Sequence, residues 1–149
     1  MAAGDPAPPK DSAPVNVPQP KNGCNFYGSK VADLKITATC TYPGLANYTL
    51  VCDSNPGLAP PNPPDNTHPS WSWLYSKADI QAPNSLAFTL EILGLPTPAG
   101  SDAQVNVKVE QGGNVLRASL GGNPEPNPVV LASIPANSLS RFSFTVSLT

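Results

Sequence analysis

Between residues 34 and 148 apolar side chains recur at every second position in eight short runs, the spacing of strands with one buried face. Leu34, Ile36, Ala38, Cys40 and Tyr42 alternate with Lys35, Thr37, Thr39 and Thr41. Pro43-Gly44 marks a turn, and Tyr48, Leu50 and Cys52 carry the apolar face back on a returning strand. A hairpin centred near Ala46 would set Cys40 opposite Cys52. Trp71, Trp73 and Tyr75 share one face of a third run, and Leu86, Phe88, Leu90 and Ile92 share one face of a fourth. Val105, Val107 and Val109 form a fifth, followed by Gly112-Gly113, a two-residue turn of the primed type. The implied register opposes Val109 to Leu116, Val107 to Ala118 and Val105 to Leu120, with Lys108 opposite Arg117. Gly121-Gly122-Asn123-Pro124 breaks that strand, and Val129 to Ala132 make a short seventh run. The eighth, Arg141 to Leu148, alternates over eight residues. The expected fold is all-β: an antiparallel β-sandwich of about eight strands, jelly-roll or immunoglobulin-like, without a helix.

Two stretches fall outside this periodicity. Residues 1–23 contain Pro6, Pro8, Pro9, Pro14, Pro18 and Pro20, and only Val15 and Val17 are larger apolar residues than Ala. This segment reads as an extended Pro-rich N-terminal arm, preceding a β-domain over 24–149. One reading makes it a flexible tether; a sharper one lays it along a neighbouring subunit. Residues 53–70 form a long loop with six prolines, a length that is often functional.

Composition narrows the class. Of 149 residues 20 are proline, and only 12% are charged, about half the usual share. Low charge combined with Pro, Asn, Ser, Thr and Gly suits a β-protein with long ordered loops. The net charge of −2 and the lack of a basic run exclude a nucleic-acid footprint. No polybasic or amphipathic stretch points to a membrane surface, and no apolar run nears the ~20 residues of a span. The first residues, Met1-Ala-Ala-Gly-Asp-Pro, lack the charged and apolar regions of a signal peptide.

The three cysteines, Cys24, Cys40 and Cys52, are an odd set with no zinc spacing. Opposed across the expected hairpin, Cys40 and Cys52 would sit within reach of a disulfide. The alternative, favoured by the missing secretion signal, is reduced thiols packed as small hydrophobes. Asn47-Tyr48-Thr49 matches a glycosylation sequon, read without that signal as a chance match.

Catalytic chemistry finds little support. The only histidine, His68, lies in the proline-rich loop three residues from Asp65, which suits exposed loop residues better than a triad. There is no G-x-S-x-G elbow. Glu91 and Glu110 lie on strand faces opposite the apolar ones, the place of solvated residues. Asp53, Asp65 and loop carbonyls offer oxygens to calcium, but no calcium-loop spacing supports a metal site. The glycine pairs are turns, not phosphate loops. The expectation is no enzyme, no cofactor and no metal. Trp71, Trp73 and Tyr75, with His68 beside them, have two readings: a ligand or partner surface that stacks on sugars, or core. Core is the commoner fate of such a row.

A β-rich domain, an arm unable to fold alone and a charge-poor surface together resemble, in architecture only, the small capsid decoration or cement proteins of tailed bacteriophages. The resemblance implies a virion protein assembled in the host cytoplasm that binds a major capsid protein or copies of itself within a large assembly. The arm residues Pro6, Pro8, Pro9, Pro14, Val15, Val17, Pro18 and Pro20 would make the partner contact. The alternatives are a carbohydrate-binding or adhesin module outside the cell or at its surface, and a tail, fibre or other surface component.

Overall fold

The computed structural model describes residues 15–18, 20–41, 45–58, 61–62, 70–81, 83–95, 103–134 and 138–149. Twelve strands and no helix lie among them: β1 (Val15–Pro18), β2 (Cys24–Gly28), β3 (Leu34–Thr41), β4 (Leu45–Cys52), β5 (Ser70–Tyr75), β6 (Ser85–Leu95), β7 (Ala103–Gln111), β8 (Asn114–Val115), β9 (Arg117–Leu120), β10 (Asn123–Glu125), β11 (Val129–Ile134) and β12 (Ser138–Leu148). They form a seven-stranded sheet, ordered β10-β9-β2-β12-β6-β4 with β1 also on β12, and a five-stranded sheet, ordered β11-β7-β3-β5 with β8 on β7.

The alternation seen in the sequence is the alternation of burial. Phe88, Leu90 and Ile92 of β6, Phe142, Phe144 and Val146 of β12, and Val105, Val107 and Val109 of β7 are all at most 2% exposed. The inner faces of the two sheets share one core. Its centre is aromatic: Phe144 stacks on Phe88 at 5.2 Å and meets Phe26 edge-on at 5.5 Å. Two edge-on pairs cross from sheet to sheet, Tyr75 to Phe88 at 5.3 Å and Tyr48 to Trp73 at 6.3 Å. Each such pair contributes about 0.5–1.5 kcal/mol beyond its burial.

Successive strands change sheet at nearly every connection, and this overturns two local pairings expected from the sequence. β3 pairs with β5 and β7, whereas β4 pairs with β6 in the other sheet. Cys40 therefore lies opposite Val105 and Cys52 opposite Phe88, and all three cysteines are buried thiols outside any disulfide. A strand buries its apolar face equally well from either side of a core, so periodicity alone does not assign it to a sheet.

The Gly112-Gly113 hairpin is present but short. Both glycines have positive φ, +58° and +82°, as a primed turn requires. Glu110 faces Val115, Gln111 faces Asn114, and the Leu116 N–H donates to the Val109 carbonyl at 3.0 Å. Beyond Leu116 the chain leaves for the other sheet. Ala118 then pairs with Phe26, while Val107 and Val105 pair with Val129 and Leu131. Lys108 consequently meets Glu110 at 3.3 Å, and the Arg117 guanidinium lies 3.9 Å over the Tyr27 ring. Asn127 fills the gap at the departure point. Its Oδ1 accepts the Val109 N–H at 3.2 Å, and its Nδ2 donates to the carbonyls of Val109 and Leu116, both at 2.8 Å. Gly121-Gly122 ends β9, as expected, and turns the chain into β10 through a second hairpin with φ of +60° and +84°.

The segment before β2 contributes a strand to the larger sheet. β1 lies parallel along β12, Val15 beside Ser138 through Pro18 beside Arg141. β2 continues along the same edge, parallel, from Cys24 beside Phe144 to Gly28 beside Leu148. Between them Ser143 donates its N–H to Asn22 Oδ1 at 2.8 Å and accepts the Gly23 N–H at 2.9 Å. β1 and β2 thus lie along the same edge of β12, β1 beside Ser138 to Arg141 and β2 beside Phe144 to Leu148. Val15, Val17 and Pro18 lie within the sheet and not in a free arm; Pro20 is exposed in the turn. Pro6, Pro8, Pro9 and Pro14 lie outside the described residues.

Candidate functional site

The aromatic row belongs to the core side of its strand. Trp73 and Tyr75 are 0% and 1% exposed, and half-buried Trp71 packs against the same core. A sugar-stacking face needs open ring surface, so the ligand-surface reading of Trp73 and Tyr75 fails. Both indoles instead hold the proline-rich loop. Trp71 Nε1 donates to the Pro61 carbonyl at 3.0 Å, and Trp73 Nε1 donates to Asn62 Oδ1 at 2.9 Å. Asn62 Oδ1 also accepts the Leu50 N–H at 2.9 Å. One side chain thereby ties the edge strand of each sheet, β4 and β5, across the mouth of the core. His68 and Asp65 lie outside the described residues.

Glu91 and Glu110 stand on outer faces beside cations. Glu91 accepts from Arg141 Nε at 2.9 Å, with Asp53 nearby accepting from Thr89 Oγ1 at 2.5 Å. These residues line a shallow groove of about 350 Å³ with Val51 and Ser143. Glu125 pairs with Lys21. Among the described residues no group of three or more His, Cys, Asp or Glu is placed to hold a metal ion.

A second groove, of about 460 Å³, lies at the pole where β2 and β12 end. Tyr27, Gly28, Val31, Gln111, Asn114 and Leu116 are among its walls. The apolar phase of β7 runs through Val105, Val107 and Val109 into Gln111, which puts a polar side chain in a buried position, 7% exposed. Its amide is fully used. Oε1 accepts the Ser29 N–H at 2.8 Å, and Nε2 donates to the carbonyls of Ser29 and Ala32 at 2.8 and 3.0 Å. Gln111 thus fixes the loop from β2 to β3 and holds Val31 outward, 77% exposed. Gly28 makes room for it: a Cβ there would fall 2.6 Å from Gln111 Oε1 and 3.1 Å from Leu116 Cδ1. Tyr27 stands at the rim, its hydroxyl 2.8 Å from Ser119 Oγ. That hydrogen bond, more than the adjacent Arg117, lowers the phenol's pKa. Val115, 52% exposed, extends the apolar surface beyond the rim.

Tyr27 escapes a reading by periodicity because the β2 alternation covers only a few residues, and Val31 because it lies in the loop after β2; Leu116 is legible as the partner of Val109 across the Gly112-Gly113 turn. Gln111 carries a legible signal, a polar residue in an apolar phase. Comparison with known proteins adds no guide: no protein family, curated protein or solved structure matches the chain.

Proposed function

We propose that this chain is a non-catalytic structural component of a large protein particle, in the manner of a capsid decoration protein, attached through its β-domain and its N-terminal segment. The observation carrying this reading is the seating of β1 along β12. It fixes the root of the N-terminal segment in a sheet, beside the start of β12, and 14 residues with four prolines precede that root in the chain. Pro-rich chain is pre-extended, so docking it orders few new torsions and costs less entropy than docking a Gly/Ser tail. Hydroxyls line an outer row on each sheet, Thr37, Thr39, Ser70 and Ser72 on the five-stranded one and Thr145 and Ser147 on the seven-stranded one, surfaces suited to lying on other proteins.

Size fractionation of the source material tests the assignment. The chain is expected with particles in the megadalton range, and a chain beginning at Val15 is expected to be lost from them. Recovery of the full chain only as a free small species would overturn the reading.

A further inference from the structure

We propose that Asn22 is a site of spontaneous modification of the main chain. Its side-chain amide cyclises on the Gly23 nitrogen and reopens as aspartate or isoaspartate, and the hold of β12 on the turn sets the rate. The chemistry lies within the chain and does not depend on the function proposed above.

Asn22-Gly23 is the only Asn-Gly pair of the chain. The nitrogen that follows an asparagine can attack the side-chain carbonyl carbon, and glycine, with no Cβ, hinders that approach least. Asn55, Asn62, Asn123 and Asn127 precede proline, whose nitrogen has no proton to lose. The pair is exposed in the connection from β1 to β2. The Cys24 N–H donates to the Lys21 carbonyl at 3.2 Å, which makes Asn22 and Gly23 the central residues of a β-turn. Ser143 of β12 holds both reacting groups. Its N–H donates to Asn22 Oδ1 at 2.8 Å, and its carbonyl accepts the Gly23 N–H at 2.9 Å.

Cyclisation forms the bond from Gly23 N to Asn22 Cγ and breaks the bond from Cγ to Nδ2. Ammonia leaves, carrying off the Gly23 proton. In the fold that proton is donated to the Ser143 carbonyl, so the ring closes only when the turn lifts from β12. Water then opens the ring at either carbonyl. Attack at Cγ restores the ordinary main chain with aspartate at position 22. Attack at the main-chain carbonyl carbon leaves the chain running through Cγ, as isoaspartate. The two products differ in how they meet β12. Aspartate keeps a side-chain oxygen for the Ser143 N–H and gives back the Gly23 N–H. In isoaspartate the Cγ carbonyl and the Gly23 N–H belong to one planar trans peptide unit and point to opposite sides. That oxygen and that N–H cannot both face Ser143, so the present pair of hydrogen bonds is lost and the connection between β1 and β2 loosens on β12.

The test is ageing of the full chain in mildly alkaline buffer, folded and in unfolding urea, read by peptide mass mapping and by isoaspartyl methyltransferase labelling. In the folded chain the acid is expected to accumulate at Asn22 faster than at any other asparagine. It is expected to form roughly tenfold or more slower than in urea, because it waits on local opening of the turn. Equal rates in the two conditions would show that β12 does not hold the reacting groups. A folded chain in which Asn22 stays intact overturns the site. The consequence is read by hydrogen exchange. The aged chain carrying isoaspartate is expected to lose protection at the Gly23 or the Ser143 amide, whereas Asn22→Asp, which stands for the other product, keeps both. Equal protection in the two would mean that isoaspartate does not loosen the turn.

Discussion

Single residues settle where this fold has no freedom. Gly28 is required by the space above Gln111, whose amide has no alternative position because three hydrogen bonds fix it. Gly28→Ala is expected to cost about 1–3 kcal/mol, the usual range for overpacking, read as a lower urea midpoint with an unchanged slope. Ser140 behaves oppositely. It is fully buried on the inner face of β12, and its hydroxyl has no hydrogen-bond partner among the described residues. Replacing an unsatisfied buried hydroxyl by a methyl removes a desolvation cost, so Ser140→Ala is expected to raise stability by about 1 kcal/mol. A loss in the same urea titration would mean that the hydroxyl is satisfied in solution. Gln111 and Ser140 share one trait: each is a polar residue in an apolar phase of its strand. The sequence shows both anomalies but not their outcomes, since one finds three partners and the other none.

At the scale of elements, the seating of β1 separates two truncations that look alike in the sequence. Removing residues 1–14 leaves every described strand in place, and the melting temperature is expected to stay the same. Removing residues 1–19 strips the partner from Ser138 to Arg141 of β12 and exposes its backbone groups. About 2 kcal/mol and a fall of roughly 4–8 °C are expected from scanning calorimetry. Equal melting temperatures for the two truncated chains would show that β1 contributes nothing to the sheet. This boundary was not legible because Val15-Asn16-Val17-Pro18 offers only two apolar residues to a periodicity count, between prolines on both sides. Strands were legible where alternation ran long, as in Leu86 to Ile92 and Phe142 to Leu148. Their partners were not. The Gly112-Gly113 turn fixed its first pairs correctly, yet nothing local indicates that Leu116 is the last residue before a change of sheet. That depends on Asn127, eleven residues later, satisfying the vacated groups.

Across the whole molecule, burial of ionisable groups makes the stability depend on alkaline pH. Burial raises the Cys24 thiol from 9.0 to about 11 and also pushes up the Cys40 thiol and the Tyr48 and Tyr75 phenols. A pKa raised on folding contributes stability that is complete while both states are protonated and is lost as pH climbs toward the folded value. The urea midpoint is therefore expected to hold steady from pH 6 to about 8.5 and to fall between about pH 9 and 11. A midpoint at pH 10.5 equal to that at pH 7 would mean these groups already ionise in the native core. The same burial shields the thiols, and alkylation at pH 8 is expected to proceed only as fast as the protein opens.

The place of β12 in the chain has a consequence for synthesis. It is the spine of the larger sheet, flanked by β1 and β2 on one edge and by β6 on the other, yet it is translated after all the strands it joins. Phe26 meets Val146, 120 residues downstream, since 146 − 26 = 120. At about 5–20 residues per second, the β2 segment waits roughly 6–24 s on the ribosome for its partner. Until β12 emerges, β2 lacks the strand that joins it to β6 and β4, so the nascent chain carries open apolar edges through that interval. Folding of this sheet waits for β12, and slowing the ribosome over that strand prolongs the interval in which a holding chaperone is needed.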